Sequence, residues 1–142
     1  MRIKEAIERI ESTPYLTVSG KSTLEEVAQL AAENRHIRGI YVVDEQGRLE
    51  GYLSLGVLIR SVIASSDKPY FHIRSLLTLT TSEKIEDVME KHVLSATRED
   101  DVAKILDKMV YRNIKQVPVI DEDRRIVASL GILDLWGLLA SA

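Results

Sequence analysis

Two stretches of the sequence decide the fold: IRGIYVVDEQGRL at residues 37–49 and IKQVPVIDEDRRI at residues 114–126. They align without a gap at a constant offset of 77, which brings Asp44 onto Asp121. Upstream, the similarity continues at an offset of 78, so the helical part of the first copy holds one extra residue. A long series of matches in the same order is typical of an internal repeat. The chain is therefore predicted to contain two copies of one structural unit.

The repeat predicts the same order of elements in each copy: a strand, a helix, two strands joined by a tight turn, and a closing helix. Polar residues precede segments with apolar residues three and four apart, which is typical of a capped amphipathic helix. The turn of the first copy contains Gly47, and glycine takes a positive φ without strain. The predicted strands are 15–18, 40–43, 49–53, 92–94, 117–120 and 126–130, and the predicted closing helices are 55–65 and 132–141.

Lead-in segments and a linker complete the predicted organisation. Residues 1–66 form the first repeat, with a lead-in helix that has apolar residues on one face of 2–11. Residues 84–142 form the second repeat, and an apolar pattern from Ile85 predicts a similar lead-in helix there. The segment 67–83 is apolar for a linker, so we expect it to pack on the core or on a second chain. Because about 60 residues are few for an independent core, the repeats are expected to share one.

The composition is that of a globular protein, and the absence of cysteine is consistent with an intracellular one. The 142 residues are 45% apolar and 29% charged, so disorder is not expected. A net charge of −3 argues against nucleic acid binding, and the lack of cysteine excludes disulfides and thiolate chemistry. No apolar run is long enough to span a membrane, and the N-terminus has no signal-peptide core. We therefore expect a cytoplasmic protein without membrane association.

The sequence contains none of the common catalytic patterns. It has no Gly-x-Ser-x-Gly, no phosphate loop with lysine and no dinucleotide-binding glycine pattern. His36, His72 and His92 have no partner at metal-ligand spacing, so surface or packing roles are expected. The acidic runs 99–101 and 121–123 lack the spacing of a calcium loop and are interpreted as a helix cap and a turn. We expect neither an enzyme nor a metal site.

The duplicated pattern, with Pro118-Val119-Ile120-Asp121 in its second copy, resembles the cystathionine β-synthase (CBS) domain family. Tandem pairs of these domains are called Bateman modules, and the resemblance covers essentially the whole chain. It implies an α+β (α/β type) fold of two tandem β-α-β-β-α repeats packed about a pseudo-two-fold axis. It also implies a regulatory ligand such as AMP, ADP, ATP or S-adenosylmethionine, no required cofactor, no catalysis, and pairing into a homodimer.

The resemblance assigns a ligand role to the end of the third strand, where the family places a hydroxyl residue and, three residues later, an aspartate. A carboxylate can accept both hydroxyl donors of a ribose diol, and the nearby helix N-terminus suits a phosphate. The first copy keeps the hydroxyl at Ser54 but has Val57, whereas the second has Gly131 but keeps Asp134. Asp134 is therefore the better ribose candidate. Both Asp134 and Ser54 could equally serve as helix caps.

By the same resemblance, basic residues just before the second strand of each copy contact phosphate. The phosphate candidates are Arg38, Arg112 and Lys115, with a solvated surface charge as the alternative. Residues from a first strand and from the start of a second strand contact the base. The base candidates at the Asp134 site are Thr17, Val18 and Ile40.

The sequence thus leads to a regulatory module that senses an adenine nucleotide or adenosyl ligand in the cleft between the repeats. Because the sequence shows no effector domain, the signal is expected to reach an unidentified partner protein. The alternative is a dimerisation or interaction scaffold whose nucleotide sites have degenerated. Its functional surfaces would be the apolar segment 70–79 and the C-terminal helix, which is rich in leucine and contains Trp136.

Overall fold

A computed structural model describes residues 1–64 and 83–141 of the chain. The helices are α1 Ile3–Arg9, α2 Leu24–Glu33, α3 Leu55–Ala64, α4 Val102–Tyr111 and α5 Ile132–Ala140, and a 3-10 turn spans Ile85–Asp87. The strands are β1 Tyr15–Ser19, β2 Gly39–Val43, β3 Leu49–Leu53, β4 Gln116–Ile120 and β5 Ile126–Gly131. Each repeat therefore has its helix, hairpin and closing helix in the predicted order. The predicted packing of segment 67–83 falls outside the described residues, except for Glu83.

The chain packs as two compact units that do not follow the order of the sequence. The first-repeat unit contains residues 15–46 and the described part of 50–93. The second-repeat unit contains residues 1–14, residues 47–49 and the chain from Leu94 onwards. The lead-in segment that precedes each repeat in the sequence therefore packs with the other repeat.

In the first-repeat unit, β1 lies parallel to β2, and β3 is the next strand of the same sheet. Thr23 caps α2, because its Oγ1 accepts a hydrogen bond from the Glu26 N–H at 3.2 Å. The α2 and α3 helices pack on each other. The core of this unit contains Val18, Leu24, Val27, Ile40, Val42, Leu53, Leu58, Val62 and Ile85.

The second-repeat unit has an antiparallel pair, β4 and β5, and lacks the predicted strand at 92–94. Instead, Ala96 alone forms a parallel bridge with Val119: the Ala96 N–H donates to the Pro118 carbonyl at 2.9 Å, and the Ile120 N–H donates to the Ala96 carbonyl at 2.8 Å. In a parallel ladder the next bond would be donated by residue 118, and proline has no N–H. The prediction of that strand was wrong because Pro118 ends the ladder.

The two lead-in segments also differ in structure. Helix α1 forms as predicted and buries Ile3 and Ala6 in the core of the second-repeat unit. The predicted lead-in helix from Ile85 is only a single 3-10 turn. The Tyr52 N–H donates to the Glu90 carbonyl at 2.9 Å, and the Glu90 N–H donates to the Tyr52 carbonyl at 2.8 Å. Because this pairing requires an extended backbone at Glu90, the helix cannot continue.

Two glycines have specific structural roles. Gly47 has a φ of 81°, as predicted for the turn. Gly51 allows the lead-in segment to pass close to β3, because a Cβ there would overlap the Met89 sulfur and lie 3.0 Å from the Glu90 carbonyl oxygen. The second hairpin uses a non-glycine residue at the position equivalent to Gly47, since Arg124 has a φ of 62°.

Candidate functional site

Asp134 lies in the first turn of α5, in the second-repeat unit, and its side chain is exposed. Gly131 is the N-cap of this helix and offers no side-chain cap. The carboxylate folds back over this glycine, since a Cβ on Gly131 would lie 3.2 Å from Asp134 Oδ2. Within the described residues, the Asp134 side chain forms no hydrogen bond or ion pair. A capping hydrogen bond is thus not observed, and the carboxylate is available as an acceptor.

A polar cluster lies beside Asp134 and was not predicted from the sequence. Thr13 Oγ1 lies 2.9 Å from Ser129 Oγ and 3.2 Å from Gln116 Oε1, and the Thr13 N–H donates to the Ser129 carbonyl at 2.7 Å. Thr13 Cγ2 lies 3.5 Å from the position of a Cβ on Gly131. Ser129 and Gln116 are buried polar residues. Periodicity could not reveal this cluster, because Thr13 belongs to the lead-in of the other repeat.

A main-chain hydrogen bond holds Lys115 next to the start of α5. The Ile132 N–H donates to the Lys115 carbonyl at 2.8 Å, and the next residue, Gln116, pairs with Gly131. Arg112 is the C-cap of α4. Both basic side chains are exposed. Of the sequence-predicted residues, the structure therefore brings Lys115 next to the helix that carries Asp134.

Ser54 is the N-cap of α3 in the first-repeat unit. Its Oγ accepts a hydrogen bond from the Val57 N–H at 3.1 Å, and its carbonyl accepts from Leu58 N–H at 3.0 Å. The capping alternative for Ser54 is thus confirmed. Val57, at the position equivalent to Asp134, packs against the hydrophobic core of this unit.

The remaining sequence-predicted residues all lie in the first-repeat unit. Thr17 is exposed on β1, and Arg38 is exposed just before β2. Val18 and Ile40 are 6% and 0% exposed, and both belong to the core of this unit. The ligand contacts of these four residues stay predictions.

Three tyrosines form an aromatic cluster in the first-repeat unit that the sequence analysis missed. The ring centroids of Tyr15 and Tyr41 lie 5.2 Å apart, and those of Tyr41 and Tyr52 lie 5.5 Å apart. Tyr41 is fully buried. At the equivalent positions of the second repeat, Tyr41 and Tyr52 are replaced by Pro118 and Ser129. The two repeats therefore support their sheets with different side chains.

The closing helices carry exposed apolar side chains, which we call the apolar stripes. Ile59 and Ile63 on α3 are 57% and 55% exposed. Leu133 and Trp136 on α5 are 78% and 60% exposed. Ile59 and Trp136 occupy equivalent positions of the two repeats, so both closing helices leave corresponding faces uncovered by the described chain.

The acidic runs act as predicted. Asp101 Oδ2 caps α4 by accepting from the Lys104 N–H at 3.2 Å, and Asp121 Oδ1 accepts from the Asp123 and Arg125 N–H groups, each at 2.9 Å. In the part of the chain that the structure describes, no group of three acidic or histidine side chains has a metal-binding arrangement. Among the described helices, none combines the length and apolar character that a membrane span requires.

Curated relatives match this chain over only part of their length. Choline transport ATP-binding protein OpuBA of Bacillus subtilis is 28% identical over 141 residues, which cover 94% of this chain and 32% of that protein. The chain spans about a third or less of the first curated relatives that it matches.

Solved CBS domain pairs match the whole fold, and this confirms the two-repeat α+β architecture. The CBS domain pair of protein MJ0100, in complex with 5-methylthioadenosine and S-adenosyl-L-methionine, has a TM-score of 0.70 at 23% identity and covers 99% of this chain and 97% of its own. The cytosolic domain of the Mg2+ channel MgtE, in complex with ATP, has a TM-score of 0.67 at 26% identity and covers 87% of this chain and 44% of its own. The family model for the CBS domain matches residues 4–64 and 85–139. The chain therefore belongs to the CBS domain family.

Proposed function

We propose that this chain is a regulatory module that binds an adenosine-containing ligand and passes its occupancy to a partner protein. The observation that carries the proposal is the Asp134 carboxylate, which is exposed at the start of α5 and has no partner within the described residues. Support comes from the CBS pair of MJ0100 with 5-methylthioadenosine and S-adenosyl-L-methionine, and from the MgtE domain with ATP. All three of those ligands contain an adenosine ribose.

The chemistry of a ribose fits a free carboxylate. An ionised carboxylate has two acceptor oxygens and no donor, so it can accept both hydroxyl groups of the diol. Hydrogen bonds to a charged acceptor are stronger than those between neutral groups. The equivalent end of the first repeat lacks such an acceptor, because Ser54 caps α3 and Val57 is apolar. We therefore place the ribose at Asp134.

A phosphate group of AMP, ADP or ATP requires a separate contact. The N-terminus of α5 is the positive end of the helix dipole, but the Asp134 carboxylate already lies there and repels a phosphate. The exposed Lys115 and Arg112 are therefore the proposed phosphate contacts in this unit. S-adenosylmethionine has no phosphate, so the methionine carboxylate is the only anionic group that it offers to these basic side chains.

The proposed output is regulatory, and no catalytic role is assigned to the chain. A ligand shifts an equilibrium between two conformations only through its different affinities for them. The proposed effector is a cytoplasmic protein, whose interaction with this module depends on the conformation that the ligand favours.

Thermal unfolding with AMP, ADP, ATP and S-adenosylmethionine tests the proposal. A ligand at about 100 times its dissociation constant stabilises a fold by about 2.7 kcal/mol, a shift of several degrees in Tm. The expected result is a rise in Tm with at least one of these ligands that Asp134→Asn abolishes, because the neutral amide lacks the charge and one acceptor oxygen.

The matched control is Asp107→Asn, which removes an exposed carboxylate from α4. This variant is expected to keep the full ligand-dependent rise in Tm. No rise with any of the four ligands, or an equal rise in Asp134→Asn, would contradict the proposed function.

The second candidate function is a homodimeric scaffold, and the apolar stripes favour it. Corresponding faces of α3 and α5 are exposed, and a symmetric dimer uses the same patch on both subunits. Light scattering on Trp136→Glu is expected to give a monomer, since a buried unpaired charge opposes association. Tyr111→Glu is the control: it places the same charge at a side chain that is 92% exposed at the end of α4, and the dimer should remain.

A further inference from the structure

The segment Ser12–Pro14 connects the two compact units over a very short distance along the chain. Thr13 is fixed in the second-repeat unit by its N–H donating to the Ser129 carbonyl at 2.7 Å and by the Oγ1 contact to Ser129 Oγ at 2.9 Å. Ser12 Oγ accepts a further hydrogen bond from the Ser129 N–H at 2.9 Å. Ser12 and Thr13 are therefore both held against β5 before the chain leaves this unit.

The chain enters the first-repeat unit two residues later. Tyr15 is the first residue of β1 and pairs with Gly39 in the parallel ladder. Its ring packs on the ring of Tyr41, which is fully buried in the same unit. Only Pro14 separates the two fixed residues, and the ring of proline restricts φ to about −65°.

The chain also passes between the units at 46–47 and 49–50, within the first hairpin, and a longer connection lies near residue 93. Glu90 is fixed in the first-repeat unit by two main-chain hydrogen bonds to Tyr52, at 2.9 and 2.8 Å. The next residue paired with a strand of the second-repeat unit is Ala96, which bridges Val119. Residues 91–95 lie between these fixed points, so a displacement at one end can be absorbed by several rotatable backbone bonds before it reaches the other.

We propose that Ser12–Pro14 is a coupling strap, which makes the stability of β1 depend on the polar cluster beside Asp134. Thr13 Cγ2 and Asp134 Oδ2 lie 3.5 and 3.2 Å from the same point, the position of a Cβ on Gly131. A shift of this helix start therefore displaces Thr13, and Pro14 passes the displacement to Tyr15. The 91–95 connection does not transmit in this way, and the connections at 46–47 and 49–50 lead to β2 and β3 rather than to β1.

Amide hydrogen exchange on the intact protein tests the strap without any ligand. Thr13→Val removes the hydroxyl and keeps the shape of the side chain. It is expected to speed exchange of the β1 amides by about five- to tenfold, the change that the loss of one hydrogen bond produces. Two glycines inserted between Pro14 and Tyr15 should confine the effect of Thr13→Val to β5. The same insertion between His92 and Val93 should leave the effect on β1 intact.

Pro14→Gly provides a second test that does not change the length of the chain. It is expected to reduce the response of β1 to Thr13→Val, because glycine restores the backbone freedom that proline removes. A β1 response that is absent in the wild-type background, or that persists unchanged in both strap variants, would overturn the proposal.

A ligand measurement adds an independent result and rests on the proposed function. A ligand identified by thermal unfolding should protect the β1 amides in the wild-type protein and not in the protein with glycines after Pro14. If none of the four ligands binds, the proposed function fails while the response to Thr13→Val still decides whether the strap exists. If a ligand binds and protects β1 equally in both proteins, the strap is overturned and the proposed function stands.

Discussion

Single residues show how far the two repeats have diverged. Gly47 and Arg124 occupy equivalent turn positions and both have a positive φ, 81° and 62°. For a residue with a Cβ, this conformation costs about 1–2 kcal/mol, which glycine avoids. In Arg124 a compensating contact is present, since its Nη2 donates to the Leu49 carbonyl at 3.1 Å. The same turn is thus built once by conformational freedom and once by a side-chain hydrogen bond.

Gly47→Ala is expected to lower the free energy of unfolding by about 1 kcal/mol. The nearest atom to the new Cβ would be Arg125 Nε at 3.9 Å, so the loss would come from backbone conformation alone. Gly137→Ala on α5 is the opposite case: no atom lies within 4 Å of its Cβ position, and alanine is expected to add about 0.5–1 kcal/mol. Urea unfolding of both variants measures the difference, and shifts of the same sign would refute this account.

The residues of the candidate site were predictable to different degrees. Ser54 and Asp134 follow from their positions after a repeated strand, and the structure places each at the start of a closing helix. Thr13 was not predictable, because its contacts with Ser129 join residues 116 apart. Nothing in a local pattern indicates contacts at that separation.

At the scale of elements, the repeated hairpins and helices were predicted well, because the apolar periodicity is present in both copies. The strand at 92–94 was not formed, since its partner strand contains Pro118 and lacks the needed donor. The lead-in near Ile85 fails as a helix because the main chain of Glu90 is paired with Tyr52. In both cases a long-range backbone partner overrides the local pattern.

The packing of the second lead-in on β3 gives a prediction about two elements. Gly51→Ala is expected to destabilise the fold by about 1–3 kcal/mol, because the new Cβ overlaps the Met89 sulfur. In the Met89→Ala background the same change should cost less, and the remaining cost comes from the close contact with the Glu90 carbonyl oxygen. A double-mutant cycle by urea unfolding measures this coupling. Equal effects of Gly51→Ala in both backgrounds would show that Met89 is not the obstacle.

At the scale of the whole molecule, the main feature is the exchange of lead-in segments between the units. Ile3 and Ala6 are buried with the second repeat, and Ile85 is buried with the first. The repeat boundaries 1–66 and 84–142 could be predicted from the duplication, but the exchange could not. A repeat pattern relates two copies to each other and does not specify which copy each lead-in contacts.

Separate polypeptides of residues 1–66 and 84–142 are expected to lack cooperative thermal unfolding when each is alone. Each lacks the lead-in that completes its own core and carries the one that completes the other's. Mixed in equal amounts, they should recover a single folded complex, observed as restored cooperative unfolding by circular dichroism. The control is residues 15–142, which lacks only the lead-in of the second-repeat unit and should lose mainly that unit. Independent folding of either polypeptide would disprove the interdependence.

The exchange also sets an order of events during synthesis on the ribosome. The first-repeat unit has all of its residues once Val93 has been made, whereas the second-repeat unit needs residues 1–14 together with the chain from Leu94 onwards. At about 5–20 residues per second, the ribosome requires several more seconds to pass from Val93 to the end of α5. During this time Ile3 and Ala6 have no core to enter. The α1 residues are therefore made before the first-repeat unit but are buried only after it is complete.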